Sequence, residues 1–317
     1  MGIKRIAAYA AIYVLWGGSY LAIRFVVAVI PPFLAAGIRY ALGGLILLAF
    51  SAAIRREPLP EWKPALNAVL TGTALLALSY SVVYWAETRL DSWIVAVLVS
   101  TILLWTYVGE WVVFRLHKLT AIALLPVLAG LAGMPLLLRA TLKHGHGDSL
   151  VAAAAVVSGS GLWAATTLLL KKLELPRSSV QTAALQLSSA GATLFCISYF
   201  SGELGAMPAT HPMLAARPLL AMTYLVLASS VLGFTAFNWL LAHESASLVA
   251  TSAYVNPVVA MLLGILVAHE AWSLTQLLGA AIILGSVVLI WRLQARVGAE
   301  RVAQEEEGAQ VVERAAA

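Results

Sequence analysis

The chain is a succession of apolar runs, each about as long as one membrane crossing. A bilayer core about 30 Å thick needs roughly 20 apolar helical residues per crossing, and runs of that length alternate with short stretches of proline, charged and turn residues. Ten transmembrane helices are predicted, at residues 6–28, 32–54, 64–86, 92–114, 119–138, 149–171, 178–200, 218–241, 248–268 and 274–292. The pattern therefore predicts an all-α integral membrane protein.

Composition agrees with this interpretation and removes several other classes. Of 317 residues, 61% are hydrophobic and 11% are charged, whereas soluble proteins carry about 25% charged residues. The single cysteine, Cys196, lies in an apolar run and offers no disulfide or cysteine metal site. The net charge of +5 is spread singly between apolar runs, so no nucleic-acid surface is predicted. We predict no cofactor, no metal and a monomer, whose partners are a small-molecule substrate and the lipid bilayer.

The positions of Lys and Arg predict the orientation of the spans. Positive charge is held on the cytoplasmic side of a membrane, and most Lys and Arg lie in connections that share a side with the N-terminus. The opposite side has only Arg89, Arg139, Lys143 and Arg217. Both termini are therefore predicted to be cytoplasmic, and the connection after the eighth span, with His243 and Glu244, is the weakest support.

A weak internal repeat divides the chain into two similar halves. A shift of 147 residues superposes three pairs in order: Trp16 on Trp163, Arg24 on Lys171 and Arg39 on Gln186. A shift of 155 superposes Ser92 on Ser247 and Leu119-Thr120 on Leu274-Thr275. Because five spans is an odd number, the second copy would enter the membrane from the opposite side. Inverted repeats of this kind are typical of transporters, with the substrate site between the two copies.

The repeat predicts four segments along the chain. They are a first five-helix repeat at 1–138, a periplasmic connection at 139–148, a second five-helix repeat at 149–292 and a cytoplasmic, disordered tail at 293–317. A central cavity is expected between the two repeats.

Three stretches resemble the EamA family of the drug/metabolite transporter superfamily. They are YVLWGGSYLAIRF (13–25), PPFLAAGIRYALGGLILL (31–48) and NPVVAMLLGILVAHEAWSLTQLLGAAIILGSVVLI (256–290). The matching positions are Trp16, Gly17, Arg24, Pro32, Arg39, Pro257, Glu270 and Gly279. The resemblance implies ten helices in two inverted repeats, a place in the bacterial inner membrane, and export or exchange of small metabolites, commonly amino acids.

The two halves differ at one motif of that family. The first-half partners of Pro257 and Glu270 are Ile102 and Arg115. Because proline interrupts helical hydrogen bonding, we predict that the fourth span is straighter than the ninth.

Trp16, Trp105 and Trp163 lie near the middles of the first, fourth and sixth spans. Most membrane tryptophans lie at the interfaces, and an indole N–H in lipid lacks a partner. We therefore expect these three to line a cavity or, with about equal weight, to pack between helices.

Tyrosines and small polar residues supply hydrogen-bonding groups at membrane depth. Tyr80 and Tyr84 are four residues apart and share a helical face. With the tryptophans, they give a predicted substrate site of Trp16, Tyr80, Tyr84, Ser100, Trp105, Trp163, Asn238 and Tyr254. The alternative for each polar member is helix–helix packing, where such hydrogen bonds contribute about 1 kcal/mol.

Three ionisable residues lie within predicted spans. Charged groups are costly there and usually have a function, so Arg24, Arg39 and Glu110 are candidates for gating or coupling. Either arginine could hold a substrate carboxylate, and Glu110 could carry a proton. The alternatives are long side chains that reach the interface or bond to carbonyls, with Glu110 paired to Arg115.

Together these features predict a secondary transporter that works by alternating access. It would export or exchange small metabolites, most readily amino acids including aromatic ones. A passive facilitator or channel for small amphipathic solutes is the alternative. An intramembrane enzyme is disfavoured because the sequence contains no His-Glu-x-x-His, paired-aspartate or Gly-x-Ser-x-Gly motif.

Overall fold

The computed structural model describes residues 3–109, 147–206, 215–244 and 246–286, with 112, 125–126, 128–130, 132–133, 135–136, 288–289 and 292. In these parts of the chain the secondary structure is helical, without β-strands. Within the described ranges, six helices are long and apolar enough to cross a membrane: Ile3–Val27, Pro32–Ile54, Trp62–Ala86, Asp148–Leu170, Ser179–Phe200 and Ala216–His243. Shorter apolar helices lie at Ser92–Thr106, Val255–Ala268 and Leu274–Ser286.

The six long helices correspond to the predicted spans one, two, three, six, seven and eight, and they are consistent with a membrane protein. The shorter helices lie within the predicted spans four, nine and ten. Most of the fifth predicted span, residues 139–146 of the connection and the tail at 293–317 lie outside the described residues. The ten-span count and the segment boundaries therefore stay predictions.

The fourth and ninth spans are both interrupted near the middle of the molecule. The fourth runs as helix over Ser92–Val99 and again over Ile102–Gly109, and the ninth over Ala246–Val249 and Ser252–Ala268. Hydroxyls accompany the first break: Ser100 Oγ donates to the Val97 carbonyl (2.6 Å) and Thr101 Oγ1 to that of Leu98 (2.7 Å). Such side chains compete with helical N–H groups for carbonyls.

The prediction that the fourth span is straighter than the ninth stays a prediction, because both spans are interrupted. Pro257 lies inside the continuous helix Ser252–Ala268 rather than at the break of the ninth span. A serine–threonine pair interrupts the fourth span, although no proline is present there.

Short π-helical segments lie at Ala11–Leu15 in the first span and Phe50–Ile54 in the second, and the two longest lie in the third and eighth spans. These two longest segments cover Thr73–Tyr80 and Leu225–Phe234. A π-helix makes i→i+5 hydrogen bonds, is rare, and is frequently found at functional sites. The two longest segments end at Tyr80 and Phe234, and both side chains reach the same central cavity.

The second and seventh spans pack closely through two glycines. A Cβ added at Gly44 would lie 2.7 Å from the backbone nitrogen of Ser188, and one added at Gly191 would lie 2.6 Å from that of Ala41. Small residues let membrane helices approach in this way. The two contacts are reciprocal, because Ala41 and Ser188, like Gly44 and Gly191, are separated by the 147-residue shift found in the sequence.

Candidate functional site

A buried cavity lies where eight of the predicted spans meet. Its walls come from spans one to four and six to nine, so both halves of the chain contribute. The cavity volume is about 60 Å³, compared with roughly 300–1,000 Å³ for typical ligand pockets. In this conformation the cavity is therefore too narrow for a metabolite, and a solute could enter only after helices or side chains move.

One wall of the cavity is a cluster of aromatic rings. The rings of Trp16 and Trp163 meet edge to face, with centroids 6.1 Å apart at 88°. Phe237 lies 5.4 Å from Trp16 and 5.7 Å from Trp163, and Tyr80 lies 5.6 Å from Trp163. These separations fall in the favourable range for aromatic pairs, so the cluster is a preformed apolar and polarisable surface.

Arg39 supplies a positive charge to the same cavity and is 4% exposed. Its guanidinium donates from Nε to Ser230 Oγ (2.8 Å), from Nη1 to Tyr84 Oη (2.9 Å) and from Nη2 to Ser229 Oγ (2.7 Å). Since a guanidinium has five N–H groups, one N–H on each terminal nitrogen has no partner among these three.

The three acceptors of Arg39 are neutral hydroxyls. The ion pairs found among the described residues are made by Arg5, Arg24 and Arg55 rather than by Arg39. The titratable side chains that interact electrostatically with Arg39 are tyrosines. A buried guanidinium without a carboxylate is energetically unfavourable. The site is therefore suited to a ligand that brings a negative charge.

Ser229 links Arg39 to the first span. Its hydroxyl accepts from Ser19 Oγ (2.7 Å) as well as from Arg39, and its carbonyl accepts from Trp16 Nε1 (3.2 Å). The indole N–H of Trp16 thus has a partner within the protein, as a buried Trp usually requires. One residue of the eighth span fixes both the aromatic wall and the cation.

Five of the predicted site residues line this cavity: Trp16, Arg39, Tyr80, Ser100 and Trp163. Tyr84 is fully buried behind Arg39 and reaches the site only through their hydrogen bond. The cavity wall also contains residues that the sequence analysis did not single out: Tyr20, Tyr40, Ser229, Ser230, Phe234 and Phe237.

Other predicted site residues lie elsewhere. Trp105 is 40% exposed and lies against Gly161 of the sixth span. Asn238 lies about one turn beyond Phe234, whose carbonyl accepts from its side chain (3.1 Å), in a separate pocket that includes Lys171. Glu110 and the side chain of Tyr254 lie outside the described residues. Their assignment stays a prediction.

Comparison with known proteins shows the protein family to which the chain belongs. The model of the EamA-like transporter family matches residues 5–137 and 147–292. The chain belongs to the EamA-like transporter family. The two matched regions also show that the family motif occurs twice in the chain.

Relatives of this EamA-like transporter carry names of the same class. The chain is 33% identical over 283 residues to the uncharacterized inner membrane transporter YedA of Escherichia coli strain K12, covering 88% of each protein. It is 25% identical over 286 residues to the uncharacterized transporter YvbV of Bacillus subtilis strain 168, covering 89% of each. These names indicate a membrane transporter rather than an enzyme.

A solved crystal structure of a protein supports the fold of this EamA-like transporter. It aligns with a TM-score of 0.63 at 18% identity, covering 90% of this chain and 97% of that one. At this identity the likeness concerns the fold alone.

Arg24 lies at one end of the EamA-like bundle, which we refer to as the outer end after the orientation that the charges predict. Its Nη1 donates to the carbonyls of Glu87 (2.5 Å) and Leu90 (3.2 Å), and its Nη2 lies 3.6 Å from Asp91 Oδ1. Burial raises the pKa of the Asp91 carboxyl, as does nearby Glu270, while Arg24 lowers it. Arg24 thus ties the first span to the connection between the third and fourth spans.

Lys171 makes the corresponding contacts at the opposite, inner end. Its Nζ donates to the carbonyls of Leu241 (2.7 Å) and Glu244 (2.9 Å), in the connection between the eighth and ninth spans. Burial lowers the pKa of the Lys171 ammonium, while Glu244 raises it. Arg5 also pairs with Glu244 (3.0 Å). Both cations of the predicted Arg24–Lys171 pair therefore hold equivalent connections at opposite ends.

Proposed function

We propose that this EamA-like transporter exports or exchanges small metabolites by alternating access, and that amino acids with aromatic side chains fit its site best. The observation that carries the proposal is Arg39, a buried cation with neutral partners inside an aromatic cavity. A solute carboxylate would supply the missing charge and accept from the two remaining N–H groups.

The aromatic wall favours the other parts of an amino acid. Trp16, Trp163 and Phe237 offer ring faces and edges to an aromatic side chain. Ring faces also attract an ammonium group. A metal ion or a polyanion would find a single cation and few fixed charges, so a small zwitterion matches the site more closely.

Alternating access is supported by pairs of equivalent contacts. The Gly44–Ser188 and Gly191–Ala41 contacts are interchanged by the 147-residue shift, as an isologous interface around a two-fold axis would require. Arg24 and Lys171, related by the same shift, hold equivalent connections at opposite ends. We infer two inverted five-helix repeats, at 1–138 and 149–292, that expose the central site to one side at a time.

Counterflow in proteoliposomes tests the proposal. Full-length protein would be reconstituted with unlabelled tryptophan inside, and uptake of labelled tryptophan from outside would be followed. A carrier shows uptake stimulated by solute on the opposite side. Uptake that is indifferent to internal solute would instead indicate a passive facilitator, and no uptake of any amino acid tested would contradict the substrate class.

The substitution Trp163→Ala locates the activity in this cavity. Loss of an aromatic anchor typically costs 2 kcal/mol or more, so we expect the initial rate at low solute to fall about 30-fold. Trp62→Ala is the matched control, because Trp62 is 70% exposed at the start of the third span. Equal rates for the two variants would place the substrate site elsewhere.

A further inference from the structure

The outer end contains a carboxyl group for which the described residues provide no hydrogen-bond partner. Glu87 directly follows the third span and is 0% exposed. Among the described residues, neither of its carboxylate oxygens finds a hydrogen-bond partner, and Arg24 forms its ion pair with Asp91 rather than with Glu87. An ionised carboxylate buried in this way is strongly unfavourable, so its environment selects the neutral acid.

The neighbouring acids are compensated, in contrast to Glu87. Asp91 lies 3.6 Å from Arg24. Glu270, after the ninth span, accepts from the backbone N–H (3.1 Å) and the hydroxyl (2.9 Å) of Ser92 at the N-terminus of the fourth span, where the helix dipole favours an anion. Arg24 is the cation of this cluster, and Asp91 is its ion-pair partner.

Among the described residues, the other ionisable groups on the neighbouring spans place no positive charge at hydrogen-bond distance from the Glu87 carboxylate. Tyr20 of the first span and Tyr84 of the third interact electrostatically with Glu87, and both are phenols rather than cations. Arg39 of the second span is engaged with Tyr84, Ser229 and Ser230. Asp148, at the first turn of the sixth span, is an exposed acid.

We propose that Glu87 is a proton-binding site and that the outer end of the transporter closes only when Glu87 holds a proton. Burial raises the pKa of the Glu87 carboxyl well above its usual value, Glu270 raises it further, and Arg24 lowers it by less. When the outer end opens, water reaches the carboxyl and it ionises near its ordinary pKa of about 4.3. Closing then takes up one proton from the outer solution, which converts the carboxylate to the acid.

The sign of the pH dependence follows from this exchange. The closed form binds the proton more tightly than the open form, so low outer pH favours closure. Between the ordinary and the raised pKa, the ratio of open to closed protein should rise up to about tenfold per pH unit. The proton exchange rests on the alternating access proposed above, but it does not depend on the substrate, and its test needs no transport.

Infrared spectroscopy of the full-length protein in lipid tests the proton directly. At neutral pH the wild-type protein should show a carboxylic-acid carbonyl band that Glu87→Gln lacks and that Glu61→Gln retains. Glu61 is the matched control because its carboxyl is exposed before the third span. Identical spectra for the wild type and Glu87→Gln would overturn the proposal, because Glu87 would then be ionised.

Hydrogen–deuterium exchange tests the coupling to closure. After correction for the intrinsic pH dependence of exchange, amides of residues 84–95 should exchange faster as the pH rises in wild-type protein and in Glu61→Gln. The Glu87→Gln variant, which stays neutral, should change less than about twofold over the same range. If Glu87→Gln does not fold, the wild type decides alone: loss of the infrared band on alkaline titration without faster exchange would refute the coupling.

Discussion

The two unused N–H groups of Arg39 give a quantitative prediction about recognition of the carboxylate. The change is Arg39→Gln, which removes the charge but keeps a polar side chain. Each hydrogen bond to a charged group contributes about 1.5–3 kcal/mol. Two such bonds at the lower figure give about 3 kcal/mol, or roughly 150-fold in Kd.

The assay compares two ligands that differ only in the carboxylate. Tryptophan and tryptamine share the indole ring and the amine, and their Kd values would be measured by calorimetry on detergent-solubilised wild type and Arg39→Gln. The wild type should prefer tryptophan, and the preference should fall about 150-fold in the variant, because tryptamine never used those two bonds. This comparison forms a double-mutant cycle between protein and ligand.

Arg39→Lys serves as the intermediate case. Lysine keeps the charge but lacks the planar fork of donors, so the preference should fall less than in Arg39→Gln. The reasoning would be refuted by an unchanged tryptophan-to-tryptamine ratio in Arg39→Gln, since Arg39 would then not contact the carboxylate. A folded variant is expected, because the substitution also removes an unpaired buried charge.

Two further predictions concern packing and the aromatic wall. Gly44→Ala should lower the melting temperature, because the new Cβ meets Ser188 and overpacking costs about 1–3 kcal/mol. Gly285→Ala is the control and should leave the melting temperature unchanged, because no described atom lies within 4 Å of a Cβ added there. Equal shifts in the two variants would contradict the close contact at Gly44. Trp16→Phe removes the bond to Ser229 but keeps a ring, so tryptophan Kd should weaken about fivefold, for about 1 kcal/mol. A loss as large as in Trp16→Ala would show that the indole N–H carries the whole effect.

The helices were predictable because the lipid-crossing pattern is strong. The six long spans agree with the sequence prediction within a few residues, since apolar length alone decides where such a helix starts and ends. The interruption at Ser100 and Thr101 was missed. It depends on hydrogen bonds from the two hydroxyls to carbonyls of the preceding turn, and the hydropathy pattern does not predict such bonds.

The site was predictable only in part, because depth in the membrane does not determine which way a side chain faces. Trp16 and Trp163 reach the cavity, but Trp105, at similar depth, is partly exposed against the sixth span. Trp105 follows the break in the fourth span. The helical periodicity of the residues before the break therefore does not predict which way the Trp105 side chain faces. Ser229 and Ser230 were overlooked, although two adjacent serines within an apolar span are a readable signal for a buried polar partner.

The reciprocal glycine contact between the second and seventh spans limits how the molecule can change shape. With the space beside Gly44 and Gly191 already filled by the facing backbone, sliding one helix along the other would drive Ala41 or Ser188 into its neighbour. The two helices must therefore move together as one rigid body, or rotate against each other without sliding. Opening on either side then falls to the remaining spans, and the interrupted fourth and ninth helices lie where such a hinge would have to bend.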